Sequence, residues 1–163
     1  MKVHVAAKDP NTKGLLQANC SDPLQSVIAT KLAYHAVQSL TSTFASDTVV
    51  HTHINVSVDS AKRYSTRAFV HGNTGLSFVA VWFSDDTPAE YVLTNCTSCL
   101  QTVVITIDRP MLDDGPYQFA DLLTGTLYDV PAEQIAIRGN EMTISKYPVY
   151  DSPVVFGAAQ IWA

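Results

Sequence analysis

The stretch "TVVHTHINVSVD", residues 48–59, is where the hydropathy period of this chain turns to two. Val50, Thr52, Ile54, Val56 and Val58 share one face, and His51, His53, Asn55 and Ser57 share the other. An apolar face opposite a wet one marks an antiparallel strand lying on a core. The spacing therefore predicts one strand from Thr48 to Asp59. Toward the C-terminus the same punctuation recurs. "YSTRAFVHG" leads through the turn residues "GNTG" into "LSFVAVWF", which is apolar on both faces, as a central strand covered from two sides would be. "EYVLTN" and "LQTVVITIDRP" alternate, the latter with Val103, Ile105 and Ile107 on one face. "QFADLL" turns at "TG" into "TLYDVP", and "IAIRGNEMTISKY" reads as a hairpin about Gly139 and Asn140. The closing "PVYDSPVVFGAAQIWA" contains Pro148 and Pro153, which suits an edge strand or a bulge. Short strands with turn signals every 8–12 residues or so indicate a mainly β protein, an antiparallel two-sheet β-sandwich.

Upstream lies "GLLQANCSDPLQSVIATKLAYHAVQSLTSTF", residues 14–44. Leu24, Val27, Ile28, Tyr34, Val37, Leu40 and Phe44 recur mostly in steps of three and four, the spacing of one helical face. Ser21 or Asp22 can cap the N-terminus, and Pro23 suits the first helical position because its missing N–H would be unpaired there. The expected organisation is an N-terminal segment, residues 1–45, with one long amphipathic helix over about 23–44, followed by a sandwich over 46–163.

Composition narrows the partners. Of 163 residues, 47% are hydrophobic and 15% charged, a globular balance, and the net charge is −5. No basic run exists to hold phosphates, so nucleic acid is not an expected partner. No stretch approaches the roughly 18–20 apolar residues of a membrane helix, and the N-terminus lacks the apolar core of a signal peptide. The chain as written reads as cytoplasmic, or as secreted if it belongs to a longer parent. The triplets at Asn19, Asn55 and Asn95 would matter only in a glycosylating pathway. Cys20, Cys96 and Cys99 are an odd count, which argues against a disulfide framework. "NCTSC" reads first as two cysteines of a hairpin turn, with a local bridge or a metal half-site as alternatives.

Candidate chemistry is sparse. Asp85-Asp86 and Asp113-Asp114 lie in turn sequences, where Asp hydrogen-bonds its own backbone. Glu90, Glu133 and Glu141 lack the neighbours that tune a glycosidase acid. His51 and His53 share a strand face, and His71 could complete a metal site across the sheet; the plainer reading makes them solvent-facing. Trp82, Phe83, Tyr64, Tyr91, Tyr117 and Tyr128 could line a sugar-stacking face, with Trp82, Tyr64 and Tyr91 the leading candidates, against plain core packing. No nucleotide or nucleophile-elbow motif is present, and no cofactor is implied.

Taken in order, several segments resemble the C-terminal region of clan A (β/α)8-barrel glycoside hydrolases. "GLLQAN … KLAYHAVQSL" is similar to the passage into the eighth barrel helix, through Gly14, Leu15, Leu16, Asn19, Lys31, Ala33, Tyr34, Ala36, Gln38 and Leu40. Leu32 stands where that family has Pro. "LSFVAVWF", "FADLLTGTLYDVP" and "MTISKYPVYDSPVVF" resemble strands of the sandwich appended to the barrel, through Trp82, Asp121 to Gly125, Tyr128, Tyr147 to Val149, Asp151 and Pro153. The resemblance spans residues 14–157. It implies that the reacting carboxylates of such enzymes lie upstream of anything present here, so no catalytic residue carries over. The expected function is a non-catalytic accessory module with a structural or interaction role. A carbohydrate-binding module is the alternative, and a small hydrolase or metal-dependent enzyme comes third. Without a barrel the helix would expose a large apolar patch. Tyr34, Val37, Leu40 and Phe44 are thus expected to form a homodimer interface or to pack back on the sheet.

Overall fold

The structure, a computed structural model, describes residues 16–18, 27–30, 32–84, 100–107 and 116–163. A two-stranded antiparallel ribbon of β1 (Leu16–Ala18) and β2 (Val27–Thr30) precedes the only α-helix among the described residues, α1 (Leu32–Thr43). The rest is two antiparallel sheets. The larger one contains β3 (Thr48–Val50), β5 (Tyr64–His71), β6 (Ser77–Phe83), β12 (Val154–Ala158), β8 (Tyr117–Asp121) and β9 (Thr126–Asp129), in that spatial order. The smaller contains β10 (Ile135–Arg138), β11 (Glu141–Pro148), β7 (Leu100–Ile107) and β4 (Ile54–Asp59). This is the β-sandwich with a preceding helix that the alternation predicts.

Three elements depart from expectation. First, the helix is shorter than 23–44, because residues 27–30 pair as a strand with Leu16–Ala18. Val27, Ile28 and Thr30 are β-branched and stiff at χ1, and they favour a pleated backbone over a helix. The candidate caps Ser21, Asp22 and Pro23 lie outside the described residues. Second, "TVVHTHINVSVD" is two strands. The chain leaves the larger sheet at Val50, turns over residues 51–53, and enters the smaller sheet at Ile54. Apolar alternation survives such a corner, so periodicity cannot detect the change of sheet. Third, the Pro-flanked segment 154–158 is no edge. It is the central strand β12, paired on both sides and buried at every position, because Pro153 stops one residue short of the ladder.

Alternation divides the packing into two layers. Between the sheets, Val58, Val103, Ile105, Met142, Ile144 and Tyr147 meet Val79, Val81, Phe83, Phe119, Val154 and Phe156. On the outer face of the larger sheet, Phe78, Ala80, Ala120, Leu122 and Val155 form a second cluster, capped by Phe44, Phe69, Trp82, Ile161 and Trp162. The "LSFVAVWF" strand is thus covered from both sides, as its two apolar faces predict. Tyr147 ties the layers together. Its hydroxyl donates to Val154 O at 2.8 Å across the sandwich, and its ring meets Phe119 edge-on at 4.8 Å.

Burial holds Tyr147 neutral and pushes its ionisation well above the ordinary tyrosine range. Tyr150 is raised in the same direction, first by burial and then by the nearby Asp121 carboxylate. Unfolded tyrosines ionise near pH 10 or so, whereas these two stay protonated in the fold. Their contribution to stability is therefore complete below that pH and is lost as the pH climbs above it. Urea midpoints should be insensitive to these groups at about pH 8–9 and fall beyond about pH 10. Tyrosinate absorbance should lag by two groups until unfolding. A native titration in which all seven tyrosines ionise together contradicts this.

Candidate functional site

Helix α1 carries the residues expected to form an interface, and its placement follows from small side chains. Ser39 and Thr43, one turn apart, are buried against the sandwich, while Val37 and Leu40 face outward at 45% and 44% exposure. The predicted interface stripe is therefore divided. Phe44 turns inward, meeting Phe69 at 4.8 Å and Phe78 at 5.6 Å, both edge to face. Tyr34, half-buried, lies one turn before Val37 and touches His35 edge-on.

Two effects make the hydroxyl face the buried one. Ser39 Oγ donates to His35 O at 2.6 Å, so this hydroxyl enters the contact already satisfied. Seating one phenylalanine between two aromatic rings is worth about 2–3 kcal/mol of transfer plus about 0.5–1.5 for each ring pair. Leaving Val37 and Leu40 roughly half exposed forfeits about 2 kcal/mol in all. The Phe44 docking wins.

The helix rests on the β8–β9 hairpin, whose tip is the "DLLTG" turn. Buried Asp121 accepts from Leu123 N at 2.9 Å and from Thr124 Oγ1 at 2.6 Å. Gly125 N donates to Asp121 O at 2.8 Å, with φ at +76°. A Cβ on Gly125 would stand 2.8 Å from Ser39 Oγ. Only glycine allows both the left-handed backbone and the close approach of the helix. Behind the turn, the buried Tyr150 hydroxyl lies beside Asp121 without reaching hydrogen-bond geometry. The Asp-to-Gly segment is therefore a structural turn that seats α1.

The other sequence candidates disperse. Trp82 and Tyr64 fall on opposite faces of the larger sheet, Trp82 against the outer cluster and Tyr64 against the inter-sheet core. They share no platform, and Tyr91 lies outside the described residues. His51 and His53 sit in and beside the sheet-changing turn, their rings 5.9 Å apart and edge to face. His71 is buried rather than solvent-facing: its Nδ1 is 3.1 Å from Thr48 Oγ1 and 3.9 Å from Asp47, and its ring tilts over Phe78. Among the described residues no three His, Cys, Asp or Glu side chains gather as metal ligands. Asp85, Asp86, Glu90, Cys20, Cys96, Cys99, Asp113 and Asp114 lie outside the described residues. Comparison with protein-family models, with curated proteins and with solved structures returned no match. The likeness to glycoside hydrolase barrels gains no support from them.

Sequence reasoning missed the Ser39 and Thr43 stripe because it scored only apolar spacing. The signal was available: Ser39, Ser42 and Thr43 cluster where an amphipathic helix should be largest, and Gly125 closes a hairpin one layer below. Gly125→Ala should destabilise the fold by about 1–3 kcal/mol, from backbone strain and displacement of Ser39. Urea denaturation measures it. A loss below about 0.5 kcal/mol, the range of unremarkable surface substitutions, contradicts the close approach.

Proposed function

We propose that this chain is a non-catalytic β-sandwich module with a structural or interaction role, of the kind appended to glycoside hydrolase barrels. Helix α1 is its adhesive element. One observation carries the reading: α1 is fixed to the sandwich by Ser39, Thr43 and Phe44 while Val37 and Leu40 remain outward at 45% and 44% exposure. A helix that served only to cover the sheet would turn its largest aliphatic residues inward. A helix held by small hydroxyl residues, with its aliphatic pair left outside, is suited to joining two bodies.

In a barrel enzyme the second body would be the barrel. For the chain by itself, the occupant of that face is a second copy. Tyr34, Val37 and Leu40 are three residues apart, so two α1 helices can pack their stripes along one seam. The sandwich then supplies a rigid mount for the pair.

Sedimentation equilibrium of the purified chain should give a concentration-dependent dimer. Val37→Asp combined with Leu40→Asp should return it to monomer with an unchanged circular dichroism spectrum, because both side chains already face solvent in the single copy. A wild-type chain that stays monomeric to about 100 μM, weaker than a Kd that yields about 5.5 kcal/mol, contradicts the reading. So does a dimer that survives the double substitution.

A further inference from the structure

A second feature lies away from α1. A cavity of about 300 Å³ opens beside β9 and β11, at the low end of the size range of small-molecule sites. Buried Phe119 and Pro148, with half-buried Tyr128, supply its apolar wall, and Asp129, Gln134 and Lys146 supply its polar rim.

The rim is built at the cost of backbone strain. Lys146 has φ at +62°, the one non-glycine residue among those described in the left-handed region. It sits on a bulge in β11. Ile144 pairs with Val103 and Tyr147 with Gln101, so three steps on β11 oppose two on β7. Such a bulge re-aims a side chain and is found next to binding sites more often than elsewhere. Had the alternation of Met142 and Ile144 continued, Lys146 would point into the core and Tyr147 out of it. The bulge reverses this, burying Tyr147 completely and delivering Lys146 to the cavity. Its neighbour Ser145 donates to Gln134 O at 3.2 Å, pinning the short turn that carries Gln134. Asp129 Oδ1 accepts from Gln118 Nε2 at 2.8 Å, which fixes that carboxylate.

The chemistry of the rim selects its ligand. Lys146, the Gln134 amide and Asp129 Oδ2 make no hydrogen bond to the described residues, so three donors, an amide and an acceptor remain free for a guest. A cation would meet Lys146 and an anion would meet Asp129, so a charged ligand is opposed by one of the pair. A neutral ring that carries hydroxyls both donates and accepts, and its C–H face can lie on the half-buried Tyr128. We propose that this cavity binds a neutral sugar ring. The site shares no residue with α1, so its failure leaves the module reading untouched.

The test uses the whole chain with glucose, galactose, mannose, xylose, cellobiose and xylobiose as probes, against benzoate and hexanoate as anionic controls. Saturation-transfer NMR should show magnetisation reaching the C–H protons of at least one sugar, with amide shifts at Tyr128, Gln134 and Lys146. Lys146→Gly removes the ammonium group and relieves the left-handed backbone together. It should weaken binding at least tenfold or so while raising Tm, a pair of effects that mere misfolding cannot produce. Gln134→Ala should weaken binding without loss of fold, and Arg138→Ala, outside the cavity, should leave it unchanged. The proposal is overturned if no sugar shows transfer at about 10 mM, beyond the millimolar range of weak single-ring binding. It is equally overturned if Lys146→Gly and Gln134→Ala both bind as the wild type does, or if only benzoate or hexanoate binds.

Discussion

Strands β6 and β12 carry apolar side chains on both faces, and the cover over the outer face of the larger sheet answers to that constraint. Val79, Val81, Val154 and Phe156 are satisfied by the opposing sheet, but Phe78, Ala80 and Val155 point the other way and would face water without a second cover. Each such side chain is worth roughly 1.5–3 kcal/mol when buried, apart from the smaller alanine. The cover is assembled from distant parts of the chain: Phe44 at the end of α1, Phe69 on β5, and Ile161 and Trp162 after β12. The helix is thereby a third layer over part of the larger sheet.

That layer is held in a way that leaves it available. Small hydroxyl residues and a glycine bring α1 close to the β8–β9 hairpin, and Phe44 seats its end against Phe69 and Phe78. A helix seated by its smaller side keeps its aliphatic pair outside. The proposed interaction role thus draws on the same packing that completes the fold. The cavity proposed as a sugar site grows from a different device, a bulge that resets the phase of β11 so that Tyr147 can bridge the sheets.

Fold class could be read from the sequence because burial alternates with period two in β4 and over residues 102–106 of β7, and because the run at 77–83 is apolar on both faces. What escaped reading has physical causes. A corner between sheets preserves alternation, so the change at His51 left no trace. β-branched residues at 27, 28 and 30 fit helical spacing and strand propensity alike, and only pairing with Leu16–Ala18 decides between them. Burial of Ser39 and His71 depends on partners remote in the chain, which hydropathy does not encode. The step of three from Ile144 to Tyr147 was the visible sign of the bulge, and thus of the position of Lys146. Of the aromatic residues first considered for sugar contact, Tyr128 lines a cavity together with polar side chains.

The account rests on Phe44 closing the outer face of the larger sheet. The most direct measurement is a set of inter-ring nuclear Overhauser contacts in the folded chain. Rings 4.8 and 5.6 Å apart between centroids give strong cross-peaks from Phe44 to Phe69 and to Phe78, and these are the expected result. A folded protein in which Phe44 shows neither contact, and in which its ring protons carry the shifts of a solvated side chain, contradicts the account at its root.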